Sequence, residues 1–596
     1  MRRTRAVSVW SLVAGSALLL TACGGGADTG SDPNTGSSSD IKSMATGKAE
    51  NGDNFKLADA APSDQVIVAI DEGYSGYNND SPDTNTSYNT FVLTSVLSGS
   101  NVLNGNNKVL LNNDVLESWT VTTSSPQVVE WKIKPNVKWS DGEAWDCDDF
   151  YLAWLSHSGK AKEGENPLFR SASTAGYELV DRATCKDDLT FEAAFSEPYL
   201  DYKGMFNSTA LLPAHVLERE TGIADVMTLT PASAPADLKK AGDFWSDGWK
   251  GFTAGIMPAS GPYMITAFDE NAETVTLEKN PNWLGAKGGP AKVIVRAIPD
   301  TKAMATALQN GEIDVASSVQ PDATAANTLK GLTSQGVVYG SAPRLSFEHL
   351  DLNFSRIFAD ESARKAFFEV VDRQEITDKL IKEVQADAQP LNSIVFMPGE
   401  DGFQDNYSDK TNKGAETAMK TLEAAGWAKG GDGIYAKDGK RFSIKISHNE
   451  NARRSQTVEI IIAQAAKAGI EVFDETDANF LKGRVDKGDF DIALFGWSAA
   501  PFKAEKPDIY ITGGGQNYQA LADPAIDQAF TTAVSATDEA VALKAYQDAD
   551  KAIADNYASL PLFQTPGMWG FRGIDRVYNQ SYNGPLWNVG EWASTK

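Results

Sequence analysis
About sixty residues at the start of the chain hold little from which a core can be built, and this constrains where folding begins and in what surroundings. Arg2, Arg3 and Arg5 form a basic start, and Ala6 to Leu20 is an apolar run broken only by small residues. A charged opening, a short apolar run and small residues at Thr21 and Ala22 mark residues 1–22 as a secretory signal peptide. Fifteen residues of helix span only about 22 Å against a hydrocarbon core of roughly 30 Å, which argues against a spanning anchor. From Gly24 to about Pro62 the chain is rich in Gly, Ser, Asp, Asn and Thr. Such a composition cannot offset chain entropy by burial, so residues 23–62 read as a flexible tether with a typical reach of about 35 Å. No later apolar run is long enough to span a bilayer, so the body from residue 63 onward is expected to be soluble.

Leu20-Thr21-Ala22-Cys23 resembles a bacterial lipobox. The resemblance implies that Cys23 is acylated, with palmitate among the chains, and becomes the first mature residue on the extracytoplasmic face of a cell membrane. Lys plus Arg total 54 against 80 Asp plus Glu, a formal charge of −26. A surface so negative repels phosphate backbones and anionic headgroups, which excludes nucleic acid as a partner and leaves attachment to the lipid. Cys147 and Cys185 are the remaining cysteines. In an exported chain they are expected to pair, closing a loop that stabilises the fold by about 4 kcal/mol; the alternative is two separate buried thiols.

At 596 residues the chain is too long for one core, and two or more domains follow. Gln65-Val66-Ile67-Val68-Ala69-Ile70 reads as a buried strand. Gly73 to Tyr88 is dense in Tyr, Asn, Asp, Ser and Gly and reads as a functional loop. Half-exposed strands are expected at 128–133, 190–195 and 274–278. Helices are expected over Asp360–Ile381 with Asp360 as its cap, around Ala418 and Leu422 up to Gly426, over Gln456–Lys467, and over Thr537–Tyr557 with Thr537 as cap. The class is mixed α/β.

Several segments, in order, resemble the extracytoplasmic solute-binding proteins of family 5, the peptide- and nickel-binding components of ABC importers. The first is Trp131-Lys132-Ile133-Lys134-Pro135-Asn136-Val137-Lys138-Trp139-Ser140-Asp141-Gly142, followed by Asp148-Asp149-Phe150, with Asp148 able to cap a helix. Leu212-Pro213-Ala214-His215, Ser260-Gly261-Pro262-Tyr263 and Gln309-Asn310-Gly311-Glu312 come next. Asn353 before Asp372-Arg373, Ala425-Gly426-Trp427 before Asp432-Gly433, and Gly488-Asp489-Phe490-Asp491 before Gly496-Trp497 complete the series. The resemblance implies two α/β lobes of the periplasmic-binding-protein type (type II, cluster C), with an extra domain inserted in the first. The expected division is lobe I at 63–114, 191–300 and 561–596, an inserted domain at 115–190, and lobe II at 301–560. It also implies a monomer that is not an enzyme, needs no cofactor or metal, and hands a small-molecule or peptide ligand to ABC permease subunits with a cytoplasmic ATPase.

In peptide-binding relatives the segment after the Gly-Trp pair lines the cleft, and an acidic residue there takes the peptide amino terminus. Here the stretch reads Phe495-Gly496-Trp497-Ser498-Ala499-Ala500-Pro501, with Ala500 where that carboxylate is expected and Asp508 as a possible substitute. The expected ligand-binding residues are Tyr77, Asn78, Asn79, Asn85, Thr86, Ser87, Phe495, Trp497, Ser498 and Ala499. Tyr77-Asn78-Asn79 resembles a motif of actinobacterial members, some of which look like envelope-assembly factors. An envelope factor binding a glycolipid precursor or a partner protein therefore stays open as the alternative. An exported hydrolase is less favoured, because the chain has no Gly-x-Ser-x-Gly elbow, no His-Glu-x-x-His and no Walker loop. His157, His215, His349 and His448 are scattered. Asp146, Asp148 and Asp149 fit a capped helix start better than a metal site, and Gly513-Gly514-Gly515 fits a loop.

Overall fold
A ten-stranded sheet runs through the computed structural model, which describes residues 54–55, 57, 60–105, 107–498 and 502–595. Its strands in chain order are β1 (Ser63–Ile70), β2 (Tyr263–Asp269), β3 (Thr274–Lys279), β4 (Pro290–Ala297), β5 (Val315–Ser318), β6 (Val337–Leu352), β7 (Ser443–His448), β8 (Glu471–Thr476), β9 (Ile492–Ser498) and β10 (Ser559–Arg572). They lie side by side in the order β2-β3-β4-β1-β5-β10-β6-β9-β7-β8. β1 is parallel to both neighbours, and β7 is parallel to β8 and β9. Val66 and Val68 to Ile70 are buried, as expected of a strand with parallel partners on both sides.

The two long strands β6 and β10 run antiparallel and join the halves of the sheet. The first part of β6 belongs with one hydrophobic core, which includes Ala342 and Trp569. The second part belongs with others, which take Leu345, Phe347 and Leu350. The chain thus has the α/β, two-lobed periplasmic-binding-protein architecture, with its cores meeting across one pair of strands.

A separate antiparallel sheet of Leu116–Ser124, Gln127–Ile133, Thr190–Phe195 and Val180–Asp187 packs Trp131 and Phe191 against Phe206. Cys147 and Cys185 form a disulfide with Cα atoms 5.8 Å apart, tying the helix Cys147–His157 to this sheet. The cap of that helix is Asp146, not Asp148: Asp146 accepts from the Asp148 amide, and Asp149 reaches back to the Asp146 amide. Asp149 also accepts from Trp139 Nε1 (3.0 Å) and the Ala214 amide (2.8 Å), so one buried carboxylate ties three of the sequence segments together.

Two further expectations are corrected. The stretch Asp360–Ile381 is two helices, Glu361–Val370 capped by Asp360 and Arg373–Leu380 capped by Asp372, whose carboxylate accepts from the Glu375 amide. The helix Glu539–Asp555 is capped by Asp538, one residue after Thr537. In each case an Asp carboxylate, a strong cap, fixed the start. Among the described residues no helix is long and apolar enough to cross a membrane. The signal peptide, Cys23 and most of the tether lie outside the described residues.

Candidate functional site
The pairing of β6 with β10 breaks between Pro343 and Phe347. Pro343 faces Pro566, and Phe347 faces Gln564, so Arg344, Leu345 and Ser346 stand against Thr565 alone. Two prolines opposite each other contribute no amide donors, which explains why the ladder fails here. A bulge bends its strand and redirects side chains. All three bulged residues line a cavity of about 510 Å³. Gln564 Nε2 donates to the Arg344 carbonyl (2.9 Å), which pins the bulge. A cavity of this size lies within the range of about 300–1,000 Å³ typical of small-ligand sites.

The opposite wall comes from the Asn-rich segment after β1 and from the helix Ser87–Leu93, capped by Thr86. This helix begins inside the stretch expected to be loop. Asn85, Ser87, Thr90 and Thr94 face the cavity. Behind them the loop braces itself. Asn89 accepts from the Ser75 amide (2.7 Å) and donates to the Thr84 carbonyl (2.7 Å) and Ser75 Oγ (3.0 Å). Asn78 donates to the Trp245 carbonyl (2.6 Å), and Asn79 donates to Thr90 Oγ1 (2.9 Å) while accepting from the Thr86 amide (3.0 Å). Tyr77 is fully buried, stacked on Trp249, with its hydroxyl donating to the Pro258 carbonyl; burial raises that phenol well above its ordinary range.

Charged groups punctuate the cavity. Asp80 accepts from Thr209 Oγ1 (3.0 Å) and meets His157 Nε2 at 3.0 Å, and both Asp80 and His157 line the wall. Glu505 and Phe502 line the far side, and Glu505 has no hydrogen-bonded or ion-paired partner among the described residues. The two sides are fastened at Asp201, whose Oδ2 accepts from the Lys503 and Ala504 amides, each at 2.9 Å. Burial raises the Asp201 carboxyl above its ordinary value despite those two donors and the nearby Lys503 charge.

The ten residues singled out in the sequence are therefore dispersed. Asn85 and Ser87 reach the cavity wall. Tyr77, Asn78, Asn79 and Thr86 sit behind that wall, with polar groups spent on internal bonds. Phe495 is buried beside Phe480. Trp497 lies stacked between His349 and Tyr518, and neither it nor Phe495 is among the lining residues. Ser498 ends β9, and Ala499, Ala500 and Pro501 lie outside the described residues. Asp508 is exposed and accepts from the Gly515 amide (2.7 Å), which accounts for the fold of the Gly513–Gly515 loop.

Sequence reading missed Arg344, Asp80, His157 and Glu505. Only the pair of prolines hinted at the first. The carboxylates of Asp146, Asp148 and Asp149 cluster within 4.8 Å, but their bonds are those of a capped helix. Burial, with the neighbouring Asp149 charge, raises the Asp148 carboxyl well above the usual range. His215 Nε2 meets Asp141 Oδ2 at 3.0 Å and its ring lies against Trp139, which joins two sequence segments and gives it a structural role.

Residues 111–519 match the family model described as bacterial extracellular solute-binding proteins, family 5 Middle. The oligopeptide-binding protein OppA of Mycobacterium tuberculosis is 30% identical over 460 residues, covering 75% of this chain and 71% of that one. An uncharacterized lipoprotein of Mycobacterium leprae is 24% identical over 499 residues, covering 80% and 83%. Among solved structures, that of a periplasmic EDTA-binding protein, EppA, is similar with a TM-score of 0.78 at 24% identity, covering 90% of this chain and 98% of that one.

Proposed function
The chain belongs to the bacterial extracellular solute-binding proteins of family 5, and we propose that it captures a short peptide or similar polar solute and delivers it to an ABC permease. It is a binding protein of the transport type and not an enzyme. The observation that carries the reading is the cavity of about 510 Å³, lined by neutral hydrogen-bonding groups and by Asp80, His157, Arg344 and Glu505. Amide and hydroxyl groups beside Phe502, Tyr199 and Tyr582 suit a polar solute with some apolar surface.

On this reading lobe I (63–114, 191–300, 561–596), with its insert at 115–190, and lobe II (301–560) close on the cargo. The bonds from Lys503 and Ala504 to Asp201 fasten the closed state. Acylation at Cys23 and the tether would hold the receptor near its permease on the extracytoplasmic face, and the lipoprotein relative supports that placement.

Mass spectrometry of whatever small molecule co-purifies, followed by calorimetry with that compound, tests the proposal. A ligand at 100-fold its dissociation constant is expected to stabilise the protein by ~2.7 kcal/mol. If no peptide, sugar or glycolipid raises the melting temperature, the capture role is overturned. A glycolipid as the bound compound points instead to an envelope role on the same fold.

A further inference from the structure
We infer that Arg344 is the anchor for a carboxylate on the cargo, so that the solute is a monoanion or a zwitterion held at that end. The inference rests on reading the cavity as the cargo site, and it adds the chemistry of the group recognised there.

Geometry makes the case first. Arg344 reaches the cavity because the β6–β10 ladder fails at Pro343 and Pro566, and the bulge is pinned by Gln564. Its stem packs over Gly567, where an added Cβ would lie 3.5 Å from Arg344 Cγ and Cδ. The guanidinium carries five N–H donors, yet among the described residues its one hydrogen bond is from Nη2 to the Ser581 carbonyl at 3.2 Å. Its Nε is buried and has no partner among the described residues.

The buried Arg364 and Arg373 and the half-buried Arg454 show what a completed environment looks like. Arg373 donates to the Pro561 carbonyl (2.8 Å), Asn392 Oδ1 (2.7 Å), Thr411 Oγ1 and the Leu391 carbonyl. Arg364 donates to the Asn556 and Phe358 carbonyls at 2.8 and 2.7 Å. Arg454 makes a two-pronged bond to Glu348, at 2.9 Å on each prong. Of these four, Arg344 makes the fewest hydrogen bonds among the described residues, and it is the one that lines the cavity. A desolvated cation without a partner is costly, and an incoming anion relieves that cost.

Among the described residues no anion fills the role. Asp71 is buried and acts on Arg344 electrostatically, but its two oxygens accept from Ser318 Oγ (2.6 Å) and the Val319 amide (2.8 Å). Burial raises the Tyr88 phenol to about 12, so it stands beside Arg344 as a neutral group at pH 7. A carboxylate fits better than a phosphate. Asp80, Asp114 and Glu505 already line the cavity, so one further negative charge is tolerated on Arg344 and a dianion is repelled. The planar fork of a guanidinium matches a carboxylate bidentately.

The test uses the mature chain and three probes: a tripeptide mixture with free carboxyl termini, the same mixture amidated at that end, and inorganic phosphate. Melting shifts and then calorimetry on the responding members are expected to show about 10- to 100-fold tighter binding of free acid than of amide. Arg344→Gln is expected to remove that preference, and Arg344→Lys to keep part of it. The acid–amide comparison on the unmodified protein needs no variant, so it stands even if Arg344→Gln misfolds. Equal binding of acid and amide, or a preference that survives in Arg344→Gln, overturns the anchor and leaves capture standing. A shift with phosphate alone overturns the carboxylate assignment, as does a co-purifying cargo without a carboxylate. If no probe shifts the protein and no compound co-purifies, the anchor and the capture role both fall.

Discussion

The two walls of the cavity are built on opposite principles. The wall after β1 is made, Asp80 apart, of short neutral side chains whose backing groups bond one another, so that Asn78, Asn79 and Asn89 have their capacity spent before any ligand arrives, and Asp80 itself is met by Thr209 and His157. The wall from the β6 bulge and residues 502–505 carries charges left over, with Arg344 nearly without partners and Glu505 without any among the described residues. A saturated wall supplies shape and stability. An unsaturated one supplies selectivity at a cost in stability, because buried charge is tolerated only where something else holds the scaffold.

That contrast is most severely tested at Glu348, which backs the charged wall four residues beyond Arg344. Glu348 is 4% exposed and accepts from both Arg454 and Arg453. Glu348→Gln is expected to cost about 3–5 kcal/mol in denaturant unfolding, since two arginines lose their buried counter-charge. Burial alone would raise this carboxyl, but the Arg454 bonds and the charges of both arginines outweigh it and hold it below its ordinary value. Its folded pKa is thus depressed, so its contribution is present above the unfolded value of about 4.3 and is lost as pH falls through the folded value. The variant should lack that acid-side loss.

Lys506 lies under the same wall, 5% exposed, with its ammonium 5.6 Å from the Phe347 ring centroid. Burial, reinforced by the Lys503 charge, pushes it down to about 8. The unfolded chain then binds the extra proton between about pH 8 and 10.4, so stability rises with pH across that window. Lys506→Met should stabilise the protein by about 3 kcal/mol at pH 7. The gain should vanish above about pH 10.4 in a series of unfolding midpoints. A destabilised variant would show that the charged wall is not held at a cost.

Trp497→Ala separates core from cleft on β9. The ring is packed by His349, Phe495 and Tyr518 away from the lining, so a loss of about 3 kcal/mol is expected, with cargo affinity unchanged. A loss of affinity with unchanged stability would place the ring in the cleft instead. The smallest effect is expected in the neutral wall. Asn89→Ala unpairs the Ser75 amide and the Thr84 carbonyl, at about 2 kcal/mol, and calorimetry should show only a modest drop in affinity through loosening of the wall.

Much of the framework was legible from pattern. The expected strands at 65–70, 128–133, 190–195 and 274–278 are present at β1, Gln127–Ile133, Thr190–Phe195 and β3, because alternation and β-branched runs report burial directly. Helix ends were legible where an Asp stood at the boundary, as at Asp360, and misplaced where several competed, as at Asp146, Asp148 and Asp149. The Asn-rich stretch was rightly marked as unusual, yet which of its amides were free was not. Asn78 finds its partner 167 residues away, at Trp245, and no local pattern reports that.

Taken by itself, the sequence determined the α/β class, the binding-protein family and the expectation of a disulfide between Cys147 and Cys185, since each follows from local periodicity, ordered motifs or residue type. Tertiary structure alone decided which side chains line the cavity. Pro343 and Pro566 lie far apart in the chain, and only when β6 and β10 pair do they face each other and break the ladder. That break turns Arg344 from a residue in a strand into a charge in a cavity, because the direction of a strand side chain is a property of its register with a neighbour.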